Sequence, residues 1–273
     1  MTEIDAMAGS SPDVVSADAR SVLAEVLAAV PADEHGPLVP GPGTTPVPFA
    51  RALERDWLAD QIGLRGQRWG TDDPRTLATL WWYSASVWVQ CPSLASLVVA
   101  GRALSPRLDE VTMHWLPDSR ITGSTCAAVL PGTDQVAALG AALRETFAAV
   151  IPVVAELGGG IRERPLWAIA SDSLANRLLW IGRAVGDVTG ATALAVPLAR
   201  AIGAPFPVPR YVDVAPDPAR PDHDLARFTR RCSCCLLYEA PGADKCTSCP
   251  KRTPADRLQR LTAAAATLSP GDG

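Results

Sequence analysis

The feature that most constrains this chain is a group of cysteines near its C-terminal end. Of the seven cysteines in the 273 residues, five fall within a stretch of 18, namely Cys232, Cys234, Cys235, Cys246 and Cys249. Such crowding is typical either of disulfides in a small secreted domain or of thiolate ligands around a metal centre. A chain of this length can bury a full apolar core without covalent staples, so a metal site is the better explanation.

The cysteine spacing favours one kind of metal centre without settling it. Two residues separate Cys246 from Cys249, a spacing that turns both sulfurs toward a common centre and that serves zinc as well as iron. Cys234 and Cys235 are adjacent, and neighbouring side chains tend to diverge, which makes a tetrahedral four-thiolate zinc site hard to close. A 2Fe-2S cluster contains two metal atoms and accepts ligands from a wider range of directions. The residues therefore favour an iron–sulfur cluster and leave zinc open.

Basic charge is concentrated around these cysteines. Residues 227–257 contain seven Arg and Lys against three Asp and Glu, a net charge of +4, whereas the whole chain carries −4. A four-thiolate 2Fe-2S centre is an anion that becomes more negative on reduction, so nearby cations stabilise its reduced form and orient an acidic redox partner. A solvated basic surface is the alternative for any single residue. The acidic total argues against nucleic acid as a partner.

The remaining sequence predicts an α+β, predominantly helical protein, with a helical body, a small β-hairpin or sheet and a C-terminal cysteine-rich cluster-binding segment. Apolar residues recur at helical intervals, and alternation at Val111, Met113 and Trp115 predicts a hairpin with a second strand from Ile121. The predicted helices begin near Asp18, cover 49–64, restart at Pro74, and then cover 133–157, 164–182 and 188–202. The predicted domains are a flexible tail (1–16), the body with its substrate-docking side (17–222) and the cluster segment (223–273).

Three stretches are predicted from their composition. The Pro- and Gly-rich residues 31–48 predict a long loop, and the Pro-rich residues 215–221 predict a stiff linker or boundary. The uncharged residues 76–101 are long enough to span a membrane, but their serines and Pro92 favour a buried core helix followed by a turn. Because the N-terminus is acidic and lacks a signal-like apolar core, we expect a cytoplasmic protein without a membrane span. This expectation is compatible with peripheral association of the protein with a membrane.

Several other chemistry-bearing residues have simpler structural explanations. Gly158-Gly159-Gly160 lacks the context of a phosphate-binding loop and predicts a helix end. The three histidines are far apart in sequence, which argues against a shared site. The remaining candidates are predicted to be core side chains, namely Trp81, Trp82, Trp88, Cys91 and Cys126.

The cysteine pattern resembles a known signature. Cys234-Cys235, ten residues, Cys246, two residues and Cys249 is similar to the C-terminal motif of FhuF-like ferric-siderophore reductases. The flanking residues that also fit are Arg231, Leu236, Tyr238, Pro241-Gly242, Pro250 and Arg252. Cys232 departs from the motif, and we interpret it as a spare thiol because the other four complete the ligand count.

This resemblance implies a 2Fe-2S cluster held by Cys234, Cys235, Cys246 and Cys249, with no catalytic residue beyond the cluster. It implies an oxidoreductase that passes one electron to iron(III) bound by a siderophore, of the hydroxamate type in this family. Reduction releases the metal because oxygen ligands hold the softer iron(II) less tightly than iron(III). A separate donor such as a ferredoxin or an NAD(P)H-dependent reductase is expected, since no dinucleotide-binding glycine fingerprint follows a strand. Two alternatives stay open, a zinc-stapled binding protein without enzymatic activity and an iron–sulfur sensor.

Overall fold

The computed structural model describes residues 15–217 and 219–268, so the predicted tail at 1–16 lies almost wholly outside the described residues. The helices are α1 (Ala17–Ala29), α2 (Arg55–Trp69), α3 (Pro74–Ala100), α4 (Gln135–Leu157), α5 (Glu163–Ala184), α6 (Val188–Ala193), α7 (Ala195–Ile202) and α8 (Pro254–Ala265). The strands are β1 (Thr45–Pro48), β2 (Val111–Trp115), β3 (Ile121–Cys126), β4 (Tyr211–Val214) and β5 (Ala226–Thr229). The predicted predominantly helical α+β class is confirmed.

Helix α3 is the central element of the body. It begins where the Asp73 side chain accepts a hydrogen bond from the backbone N–H of Thr76, and it ends at Gly101, which adopts the left-handed conformation. The turn expected at Pro92 is wrong, because the helix continues through this residue. Packing against α1, α5 and β3 encloses α3, and this tertiary support compensates for the one backbone hydrogen bond that proline removes.

The contact between α3 and α5 forms the middle of the core. Trp81 and Trp82 are fully buried, and Trp82 Nε1 donates to the carbonyl oxygen of Leu166 at 2.8 Å. Within the same contact, the hydroxyls of Ser86 and Ser173 lie 2.8 Å apart, so these two buried polar groups are paired with each other. Helices α3 and α4 each have the length and apolar character of a membrane span, but most of the apolar stretch of α3 is buried.

The predicted hairpin is confirmed and extended by a strand that the sequence did not reveal. Strands β1, β2 and β3 form an antiparallel sheet in that order. Strand β1 lies within residues 31–48, so the prediction of a loop was wrong for Thr45–Pro48. The strand tolerates Pro46 and Pro48 because it is at the edge of the sheet, where a missing N–H need not break the ladder.

A second hairpin leads into the cysteine segment. Strand β4 pairs antiparallel with β5, and the Pro-rich stretch at 215–221 lies in the connection between the two strands. The stretch predicted as one helix at 188–202 is divided between α6 and α7 at Leu194. Gly159 and Gly160 have positive φ angles just after α4, which confirms the predicted helix end.

Candidate metal centre

The cysteine segment starts where β5 ends and contains little regular structure. Leu236 adopts a left-handed conformation with φ of 62°, so the chain changes direction directly after the Cys234-Cys235 pair. The backbone N–H of Cys249 donates to the carbonyl oxygen of Cys246 at 3.0 Å, which closes a tight turn between these two residues. These two local turns bring both cysteine pairs to the same place.

The four motif thiols contact each other in two pairs. The Cys246 thiol donates to Cys235 Sγ, and the Cys234 thiol donates to Cys249 Sγ. The contact with Cys246, reinforced by a backbone hydrogen bond and by the charge of Arg231, lowers the pKa of Cys235 to about 5. Cys235 and Cys249 are buried, whereas Cys234 and Cys246 are half-exposed.

This arrangement fits a binuclear centre. In a four-cysteine 2Fe-2S site each iron atom takes two thiolates, and two thiol pairs supply that set. The donor set therefore suits a 2Fe-2S cluster better than one tetrahedral zinc ion.

Arg231 places a buried positive charge against the thiols. Its Nη1 donates to Cys246 Sγ at 3.1 Å, and its Nε lies 3.5 Å from Oδ2 of Asp172. The side chains of Arg231 and Asp172 are each only 3% exposed. The guanidinium also lies over the ring of Tyr83, 5.1 Å from its centroid. A hydrogen bond from a cation to a ligand sulfur stabilises negative charge on that sulfur, so Arg231 is placed to influence a bound cluster.

Asp172 anchors the start of the segment to helix α5. Its carboxylate accepts hydrogen bonds from the backbone N–H of Cys232 at 3.0 Å and of Ser233 at 2.9 Å, and also from the Ser233 hydroxyl. The sequence analysis missed this residue. The available signal was an aspartate in the middle of an apolar helix, because such residues are rarely buried unless they are paired.

Arg252 anchors the other end of the segment. Its side chain is 5% exposed and donates from Nε to the carbonyl oxygen of Cys246 at 3.0 Å. The same guanidinium pairs with Asp244 at 2.8 Å and with Asp256 on α8 at 2.9 Å. The turn that carries Cys246 and Cys249 is thus tied to α8 by one buried arginine.

The other cysteines lie apart from the two thiol pairs. Cys232 directs its thiol toward Asp172 Oδ1, at 3.4 Å, and burial together with that carboxylate raises the pKa of Cys232 to about 12. Its thiol contacts this carboxylate, and the interpretation of Cys232 as a spare stays a prediction. Cys91 and Cys126 are buried in the body, as predicted.

Three clefts in the described part of the chain reach the cysteine segment, and two of them share Tyr83, Ser84 and Trp88. The Cys246 cleft, of about 850 Å³, is lined by α3 and α5 residues that include Trp88 and Trp180. The Cys234 cleft, of about 880 Å³, is lined by the first turns of the same two helices. The third, of about 520 Å³, reaches Cys235. Trp88 is half-buried and lines the Cys246 cleft, so the prediction that it is a core residue was only partly right.

One comparison with known proteins identifies this segment. Residues 231–251 match the family model described as the FhuF 2Fe-2S C-terminal domain. The match begins at Arg231 and includes all four motif cysteines, which confirms the resemblance to the FhuF-like family. Among curated proteins, no match to the chain was found. The domain points to a 2Fe-2S cluster as the cofactor.

Proposed function

We propose that this chain, whose C-terminal segment is a FhuF-type 2Fe-2S domain, is a ferric-siderophore reductase that releases iron(II) in the cytoplasm. Cys234, Cys235, Cys246 and Cys249 would hold the cluster, which supplies single electrons for the reduction of iron(III). The match to the FhuF domain suggests a siderophore-iron reductase family. The observation that carries the proposal is the position of Cys246, half-exposed at the wall of a cleft of about 850 Å³.

The Cys246 cleft has the size and walls of a small-molecule site. Its volume lies within the range of roughly 300–1,000 Å³ that is typical of ligand pockets. Aromatic side chains contributed by Tyr83, Trp88 and Trp180 line it. The guanidinium of Arg177 lies 5.7 Å from the Trp88 ring centroid and 5.3 Å from that of Trp180, so cation–π contacts hold this wall together. A preformed wall of this kind can receive a bulky chelate without reorganisation.

The charges of this cleft suit a chelate that is close to neutral. Three arginines and two carboxylates line it, namely Arg177, Arg183, Arg231, Asp33 and Glu34. Hydroxamate anions balance the charge of iron(III), so a ferric hydroxamate fits this nearly balanced surface better than a highly charged chelate would.

Two arginines of the cleft bring positive charge close to a bound chelate. Arg177 and Arg231 both line the cleft, where their charge can attract the oxygens of a chelate. Arg231 also donates to Cys246 Sγ, and it therefore joins the chelate side of the cleft to the ligand thiol. Reduction to iron(II) then weakens the hold of the oxygen ligands, and the metal can leave.

A stoichiometric experiment tests the reductase activity. The anaerobically purified protein is reduced with dithionite, freed of excess reductant and mixed with a ferric trihydroxamate in the presence of an iron(II)-specific chelator. We expect loss of the paramagnetic resonance signal of the reduced protein and about one trapped iron(II) per electron stored. A signal that persists in the presence of the chelate would refute the reductase and favour a sensor.

A cleft variant tests the location of the substrate. Trp180 donates from Nε1 to Glu34 at 2.7 Å and is partly exposed at the cleft. Trp180→Ala should raise KM for the ferric hydroxamate several-fold with little change in kcat, because it removes binding surface and leaves the cysteines intact. Trp57→Ala is the matched control, since Trp57 stacks with Arg51 away from the three clefts. An equal effect of both variants on KM would argue against this site.

A further inference from the structure

The Cys234 cleft has a different charge from the Cys246 cleft. It is lined by Arg75, Arg162, Arg164 and Lys251, and the only carboxylate that lines it in the described parts of the chain is Glu239. Its lining residues include none of those that line the Cys246 cleft. The cysteine segment can therefore be approached from two sides, one nearly balanced in charge and one strongly positive.

The four cations of this cleft are exposed and lie around one cavity. No carboxylate of residues 15–217 or 219–268 forms an ion pair with any of them, and Asp73 acts on the side chain of Arg75 only through its charge. Unpaired charges of one sign on a surface produce a field that attracts partners of the opposite sign.

The placement of these cations works against the stability of the helices that carry them. Arg75 lies in the first turn of α3, and Arg162 and Arg164 lie at the start of α5. The amino end of a helix is itself the positive end of the helix dipole, so cations there are unfavourable and add to the positive potential. Asp73 and Glu163 occupy the same two helix starts, but neither lines the cleft. A local arrangement that opposes stability is expected where it serves a function.

Apolar side chains and a half-exposed cysteine also line this cleft. They include Pro165, Leu236 and Tyr238 together with Cys234. Protein interfaces combine apolar contact area with charged residues in this way. Since the cations come from α3, α5 and the chain after Cys249, the charge is spread over a broad area rather than focused on one phosphate-sized point.

We propose that the Cys234 cleft docks an acidic one-electron carrier protein of the ferredoxin class, which supplies the electron used on the chelate side. This inference rests on the proposed reductase function. One electron leaves the reduced carrier, and one iron(III) becomes iron(II), so no proton or chemical group needs to be transferred. Because the two clefts are lined by separate residues, carrier and chelate bind at the same time, and the protein is reduced again without first releasing its substrate.

A charge-reversal variant tests this docking surface. The probe is an acidic plant-type ferredoxin, and the protein is the holoprotein with its cluster in place. In Arg162→Glu/Arg164→Glu we expect Kd for oxidised ferredoxin, measured by titration calorimetry at low salt, to rise about tenfold or more. The rate of reduction by reduced ferredoxin should fall by a similar factor, and both differences should shrink as ionic strength rises. Reduction by the methyl viologen radical cation, a small positive donor, should not slow down.

A matched control separates docking from net charge. Arg200→Glu/Arg220→Glu introduces the same change of charge at two exposed residues that line none of the three clefts. We expect less than a twofold effect on ferredoxin binding in this variant. Equal losses in the two variants, or no loss in either, would overturn the assignment of the Cys234 cleft.

The test is independent of the reductase activity. Chelate reduction is measured with dithionite as the electron source, whereas docking is measured by the binding of oxidised ferredoxin. Failure of the first in the unaltered protein would remove the proposed function without affecting the binding result. Failure of the second would remove only the carrier site.

Discussion

The α3–α5 contact and the cysteine segment are held together by different forces. In the contact, apolar side chains such as Trp82 and Leu174 are fully buried and pack against other apolar groups. In the segment, Arg231, Ser233 and Arg252 are buried beside thiols, and hydrogen bonds and ion pairs join them to their surroundings. The α3–α5 contact is stabilised by the burial of apolar side chains, whereas the cysteine segment buries charged and polar groups.

This difference assigns separate roles to the two regions. Apolar burial stabilises a fold without help from a ligand, at roughly 25 cal/mol per Å². A polar contact contributes only about 1 kcal/mol net, and an unpaired buried charge destabilises strongly. The body should therefore fold by itself, whereas the order of the segment should depend on its metal centre.

The largest expected effect comes from removing one motif thiol. Cys235→Ala should abolish cluster binding, because three thiolates leave one iron without its second ligand. Iron and acid-labile sulfide analysis with visible absorption measures the loss, and far-ultraviolet circular dichroism should show that the helical body persists. Cys232→Ala is the control, because it removes a nearby thiol outside the motif, and this variant should keep its cluster. A cluster retained in the first variant or lost in the second would contradict the ligand assignment.

A core substitution should affect the other region alone. Trp82→Ala is expected to lower the free energy of unfolding by about 3–5 kcal/mol, because it removes a fully buried ring and the hydrogen bond to Leu166. Urea titration of the holoprotein measures this change. The reduction potential of the molecules that remain folded should stay the same. Leu64→Ala is the control. Leu64 is 41% exposed, so its replacement should change the free energy of unfolding by no more than about 0.5 kcal/mol.

Breaking the buried ion pair tests the attachment between the regions. Asp172→Asn should lower the free energy of unfolding by about 3 kcal/mol, because it leaves the charge of Arg231 buried without its carboxylate. Asp213→Asn is the control, since its ion pair with Arg227 is considerably more exposed and should contribute about 0.2–1 kcal/mol. Equal losses in the two variants would show that burial does not distinguish these pairs.

The smallest effect is on the reduction potential. Arg231→Gln should lower the potential on the order of 50 mV, because a cation and its hydrogen bond to Cys246 Sγ favour the more negative, reduced state. A titration followed by paramagnetic resonance measures the shift. Arg252→Gln removes a buried cation that donates to a carbonyl oxygen and pairs with carboxylates rather than with a sulfur, so its effect on the potential should be less than half as large.

The sequence analysis succeeded where the signal is local. Regular apolar spacing predicted most of the helices of the body, and alternation predicted the β2–β3 hairpin. It did not predict β1, β5 or α8, although α8 has the local start signals of Thr253, Pro254 and Asp256. Strand β1 is a clear case, because two prolines argue against a strand unless its place at the edge of a sheet is known.

The site shows the same division. The cysteine spacing, ten residues and then two, is local information; it left zinc open, and its resemblance to the FhuF-like motif implied the 2Fe-2S segment that the family match supports. Asp172, which lies 60 residues before Cys232, was missed because nothing in its surrounding sequence shows what it contacts. The sequence also did not reveal the Cys246 and Cys234 clefts, since each combines parts of α3 and α5 with the cysteine segment.

The amino-acid sequence alone determined the helical class of the body, the cysteine motif that resembles the FhuF-like family and the concentration of basic charge near the cysteines. Only the tertiary structure decided that the thiols contact in two pairs, that Arg231 and Asp172 are buried beside them, and that cations from separate elements gather at Cys234. The physical reason is the distance along the chain over which each signal extends, because periodicity and ligand spacing can be recognised within a few neighbouring residues. Burial, ion pairing and cleft formation depend instead on which distant segments the fold brings together.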